Sequence, residues 1–139
     1  MIRRIALGLA LAVALLSFGT LARAETCTAA ACTWIMTWVE PSTVQGGGAL
    51  TNLTKTTLYI QVGAGAATAF DVPATKPGGG GTVTQQVSVP VAVGQKANIQ
   101  AWATATNTYG ASPNSAIDAW TKDRTSEYPP AAPGAPTHQ

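Results

Sequence analysis

Few side chains in this sequence have the chemistry to react, chelate or grip. Cys27 and Cys32 stand five positions apart. In an oxidising compartment they can close a small loop, and otherwise they are two free thiols. They make no metal site alone, because metal binding needs more ligands than two cysteines and the lone histidine, His138, next to last in the chain, can supply. The same isolation of His138 denies a nucleophile its base, and no Gly-x-Ser-x-Gly occurs. Asp123 and Glu127 are the acids nearest each other in sequence. Paired carboxylates serve a glycosidase only across a shared cleft, and solvated surface acids are the simpler reading. These residues argue against an enzyme and imply neither cofactor nor metal.

The remaining candidates are grips. Gly46-Gly47-Gly48 and Pro77-Gly78-Gly79-Gly80-Gly81 are glycine runs, but neither opens a helix with a Gly-Lys-Ser/Thr signature, so they read as loops and not as phosphate cradles. Asn52-Leu53-Thr54 is a glycosylation sequon that matters only in a eukaryotic secretory pathway. Tyr59, Trp102 and Trp120 are more promising. Each combines a large contact area with a polar tip, which suits a protein surface or a sugar ring.

Those rings need elements to present them, and period-two alternation supplies the elements. In Trp34-Ile35-Met36-Thr37-Trp38-Val39, the residues Trp34, Met36 and Trp38 share one face and form the bulkiest apolar row of the chain. Burying that row is worth on the order of 5 kcal/mol or more, which places it at the centre of a core. Alternation recurs at Thr57–Val62, around Thr68–Val72, at Thr82–Val89, at Ala97–Thr106 and at Ser115–Lys122. On the Ala97–Thr106 segment Ile99, Ala101, Ala103 and Ala105 form one row, opposed by Gln100, Trp102 and Thr104. In this register Tyr59, Trp102 and Trp120 all point away from the core. No segment after residue 24 carries a helical period. Six to seven short antiparallel strands joined by Gly/Pro/Asn-rich turns indicate an all-β sandwich, and periodicity alone does not separate this from a small barrel.

The amino terminus reads as a leader. Arg3 and Arg4 precede an apolar run, Ile5 to Phe18, and Ala22-Arg23-Ala24 supplies an Ala-x-Ala site with cleavage after Ala24. The run is shorter than the roughly 20 residues that cross a bilayer, and the residues ahead of Cys27 do not make a lipoprotein signal. Residues 1–24 are therefore a signal peptide and the rest is secreted or periplasmic, with no membrane insertion after cleavage. The whole chain carries a formal charge of +2. Beyond residue 24 there are five cations against six acids, about −1. The cations are spread along the chain, which excludes a nucleic-acid footprint. The 115 residues left of 139 suffice for one domain over 25–124. Residues 125–139, with Pro129-Pro130 and Pro133-Gly134-Ala135-Pro136, form a Pro-rich flexible tail.

Several short stretches carry a family likeness: Met36-Thr37-Trp38-Val39-Glu40-Pro41, Leu50-Thr51-Asn52-Leu53, Leu58-Tyr59-Ile60, and Ala105-Thr106-Asn107-Thr108-Tyr109-Gly110-Ala111-Ser112 followed by Ser115. Across Thr33 to Lys122 the chain resembles a fibronectin type III domain of the bacterial and phage kind. The resemblance implies an immunoglobulin-like sandwich with strands B and E in one sheet and C, F and G in the other, so that Trp34 and Trp38 face the alanine row of strand F. Two departures stand out. The tyrosine that family members carry near the start of strand F is replaced by Ala97 and Ile99, and strand A is a stub, at most Glu25 to Ala29, which a Cys27–Cys32 link would clamp. An immunoglobulin-like sandwich with altered strand order is the next choice.

The function this implies is a non-catalytic binding or structural module of the cell envelope or extracellular space, acting through protein contacts. Its alternative is a carbohydrate-binding module that uses Tyr59, Trp102 and Trp120 on a polysaccharide.

Overall fold

The computed structural model describes residues 22–128. Most of the expected leader, the tail beyond Tyr128 and His138 lie outside the described residues. Among the described residues every regular element is a strand. They are β1 (Ala22–Cys27), β2 (Cys32–Val39), β3 (Leu53–Val62), β4 (Thr68–Pro73), β5 (Thr82–Val89), β6 (Lys96–Asn107), β7 (Gly110–Ala111) and β8 (Asp118–Asp123).

The strands form two antiparallel sheets. One has the order β1-β2-β5; the other runs β4-β3-β6, with β7 and β8 both pairing to β6. Strand β2 and its partner β5 thus lie in a different sheet from β3, β6 and β8, the partition expected of the sandwich. Trp34, Met36 and Trp38 come from β2 and Val83, Val87 and Val89 from β5. They meet Leu58 and Ile60 of β3 and Ile99 and Ala101 of β6, all buried in one cluster against which Ala103 also packs. The alanines leave volume for two indoles, as interior packing at crystal-like density requires. Across the sheets the Trp38 indole N–H donates to Thr56 Oγ1 at 3.2 Å, which satisfies a polar group deep in the core.

Boundaries differ from the sequence expectation where side chains are polar. Strand β3 begins at Leu53 and not at Thr57. Its threonines are β-branched and pair along β6 after a register shift between Leu53 and Lys55. Strand β8 begins at Asp118 and not at Ser115. Between β7 and β8 the chain carries Pro113 but still satisfies β6 through side chains, because Ser112 and Ser115 hydroxyls accept the Ala105 and Ala103 amides at 2.9 Å each. Strand β1 starts within the expected leader, and its residues Ala22–Ala24 pair with Thr37–Ile35. The stub that follows, Glu25–Cys27, pairs with Trp34–Cys32, and the two sulfurs sit at bonding distance, 2.02 Å.

One expectation fails on direction. Trp120 does not point outward. Its partner in the β6–β8 register is Ile99, a core residue, and cross-strand partners share a face. The Trp120 ring packs edge-on against Trp34 with centroids 5.7 Å apart. The exposed side of this strand is the one holding Ala119, with Ile117 also exposed just before it. Alternation gave the two faces of β8 correctly but not which one faced in: Ile117 was the more apolar choice, yet the core opposite β8 had room for a ring next to Trp34.

Candidate functional site

Register and alternation define the outer face of the second sheet. Thr57, Tyr59 and Gln61 on β3 stand opposite Thr104, Trp102 and Gln100 on β6, while Asp71 and Ala69 of β4 flank Thr57 and Tyr59. Leu58, Ile60, Ile99 and Ala101 between them are buried inward. The face needs little helix or loop geometry. It follows from three neighbouring strands in which every second residue is polar or aromatic.

At its centre Tyr59 and Trp102 are directly paired, and their rings stack nearly parallel, 11° apart with centroids at 5.6 Å. Such a pair contributes about 0.5–1.5 kcal/mol beyond the area it buries. Both residues are half-buried, so part of each ring remains open to a partner. Two of the three rings expected on this face are therefore brought together, and the third, Trp120, lies on the other side of the sheet.

The border of the pair is polar. Lys55 Nζ sits 2.5 Å from Asp71 Oδ2, and Thr57 Oγ1 donates to Asp71 Oδ1 at 2.7 Å. The hydrogen bond from Lys55 and that from Thr57 hold the Asp71 carboxyl below the ordinary carboxylate range. Asp71 thus stays ionised in mildly acidic solution, and the border keeps one acid and one base beside the aromatic pair. Further along, Thr121 Oγ1 donates to Asn98 Oδ1 at 2.8 Å. Gln61 is held by the Gly65 carbonyl, to which its amide donates at 2.8 Å.

The acids considered for hydrolysis serve local structure. Asp123 Oδ1 accepts from the Thr125 amide at 3.0 Å and from its hydroxyl at 2.6 Å. Glu127 pairs with Arg124 Nε at 2.7 Å. Glu25 lies close to the two cysteines, but sulfurs spent on each other offer no thiolate, so that cluster is not a metal centre in the oxidised protein.

Three buried or half-buried charged residues escaped the sequence reading. Glu40 is 2% exposed. Its carboxylate accepts from the Thr75 amide and hydroxyl and from the Gly81 amide, tying the β4–β5 loop to the end of β2. Arg124 is 3% exposed and donates through Nη1 to the Thr28 and Val91 carbonyls, 2.7 Å each. Lys122 reaches Glu25 at 2.5 Å and joins the open edge of one sheet to the other. The signal was present for Glu40, because continuing the inward row Trp34, Met36 and Trp38 by one step turns it inward, whereas Lys122 and Arg124 fall on the Trp120 side of β8, whose direction alternation does not give.

No family model and no curated protein matches the chain.

Proposed function

We propose that the chain is an exported, non-catalytic module of the fibronectin type III kind, which binds a protein partner at the cell envelope or outside the cell through the outer face of its second sheet. The observation that carries this reading is the stacked Tyr59–Trp102 pair, half-open and central on that face. Aromatic rings of this kind, held in place by a neighbour and ringed by polar groups, make effective anchors because ordering them on binding costs little. The Lys55–Asp71 pair beside them adds a charged border suited to selecting a partner.

The arrangement of strands supports the family assignment: β1, β2 and β5 answer to A, B and E, and β3, β6 and β8 to C, F and G. The Cys27–Cys32 bridge fits an oxidising compartment. A polysaccharide ligand is the weaker reading. It drew on three rings, and with Trp120 turned inward two remain, each spending one face on the other.

Site-directed photo-crosslinking in the native host tests the proposal. A photoreactive residue in place of Gln100 or Ala119, beside the pair, is expected to trap a protein adduct, while one at Gln86 or Ser88, on the outer face of the other sheet, does not. The adduct is expected to disappear with Trp102→Ala. Equal trapping from both faces, or an adduct indifferent to Trp102→Ala, would count against this surface. Glycan binding that fails in Trp102→Ala would transfer the site to a sugar.

A further inference from the structure

The edge of the first sheet has a neighbour in the full chain that the exported protein lacks. The bond from the Thr28 amide to the Ala31 carbonyl, 2.8 Å, sets the parity of the β1–β2 ladder. Hydrogen-bonded pairs alternate along an antiparallel ladder, so Thr26 with Thr33, Ala24 with Ile35 and Ala22 with Thr37 are bonded pairs as well. The backbone N–H and C=O groups of Ile35 and Thr37 therefore point away from β5 and toward Ala24 and Ala22. Those alanines belong to the leader. Cleavage after Ala24 leaves Glu25–Cys27 in place, clamped by the disulfide, and strips the partners from Ile35 and Thr37.

The edge so exposed is unguarded and apolar. Thr33–Val39 contains no charge, no proline and no glycine, and Ile35 and Val39 on its outer side are 47% and 48% exposed. The edges β4 and β8 of the second sheet carry features that discourage strand addition, Asp71 and Pro73 on one and Asp118, Lys122 and Asp123 on the other. Strand β5, the remaining edge of the first sheet, is uncharged but turns the polar Thr84, Gln86 and Ser88 outward where β2 turns Ile35 and Val39.

Resting on the export reading above, we infer that the mature protein pairs this edge with the same edge of a second copy, in an antiparallel join about a two-fold axis through Thr37. The parity permits it. Residues 35, 37 and 39 turn their backbone groups outward, so Thr37 meets its own counterpart in a bonded pair and Ile35 meets Val39 on either side. The two exposed apolar side chains of β2 are symmetric about Thr37 and cover each other twice, as a self-complementary contact demands. The length is bounded too. The clamped Glu25–Cys27 stub occupies the edge from Trp34 back to Cys32, and Pro41 ends β2 at the other side, leaving a join of Ile35–Val39. The product is a continuous sheet through two molecules, with both Tyr59–Trp102 faces left outside.

The test uses the protein recovered after export. Intact mass is expected to place its first residue at Glu25, and light scattering at micromolar concentration to give twice the monomer mass. Ile35→Lys puts a charge on an exposed position without touching the core and is expected to give the monomer mass. Thr37→Pro, which deletes an amide that points out of the sheet, is expected to do the same. A form lengthened to retain Ala22–Ala24 fills its own edge and is expected to be monomeric. Overturning results are a monomer that begins at Glu25, or a dimer that survives both substitutions. A monomer with protected Ile35 and Thr37 amides would likewise overturn the pairing, giving the edge to the chain's own tail. Any of these leaves the outer-face reading standing. A first residue at or before Ala22 removes the open edge and overturns the leader assignment with it.

Discussion

At the scale of single residues, size decides more than polarity. Ala101 is fully buried and Ala103 packs against the same cluster as Trp34 and Trp38. Ala103→Leu is therefore expected to overpack the centre, lowering stability by about 1–3 kcal/mol in thermal or chemical denaturation, where unaltered stability would mean the rings do not crowd that strand. The inward row of β2 and the small row of β6 were both legible from alternation and residue volume. Trp120 was not, because alternation separates faces without saying which one is inside. That choice was made by Trp34, whose ring offers an edge-on partner across the sandwich, and no local feature of Ser115–Lys122 carries that information. The Tyr59–Trp102 pairing followed from placing both on the same side of neighbouring strands, although their stacking could not be read from sequence.

At the scale of elements, strand cores were legible and connections were not. The span Thr82–Val89 was found as β5 with both ends right, since Gly81 and Pro90 punctuate it. By contrast the β4–β5 loop looked like a solvated glycine run, yet it is tied down by a buried carboxylate. Glu40 accepts from Thr75 and Gly81, and the chain passes so close that a Cβ on Gly79, at φ 60°, would lie 1.9 Å from the Pro41 carbonyl oxygen. Only glycine fits there. Glu40→Ala leaves those amide donors without an acceptor. It is expected to cost about 1–3 kcal/mol and to speed hydrogen exchange at the Thr75 and Gly81 amides, with Glu40→Gln recovering part of the loss. Equal stability of wild type and Glu40→Ala would make the loop independent of β2. Polar anchors of this sort escape a reading of hydrophobic pattern because their partners are distant in sequence: Glu40 and Thr75 are 35 residues apart.

At the scale of the molecule, two sheets are joined at their ends by charge and through their middle by rings. Arg124 bonds the β1–β2 turn at Thr28 and the β5–β6 connection at Val91, and Lys122 pairs with Glu25 across the open side. This arrangement closes the sandwich at that end without a tyrosine at the start of β6, where Ala97 and Ile99 stand. The interior takes three of the four indoles and leaves Trp102, with Tyr59, to the outer face. Hydrogen exchange of the four indole N–H groups by NMR tests that division most directly. Trp38 is expected to exchange slowest, being bonded to Thr56 inside the core, Trp34 and Trp120 are expected to be protected by burial of the ring or its N–H, and Trp102 is expected to exchange fastest. A Trp120 that exchanges as fast as Trp102, or a Trp38 without protection, would contradict both the packing of the two sheets and the binding face proposed on it.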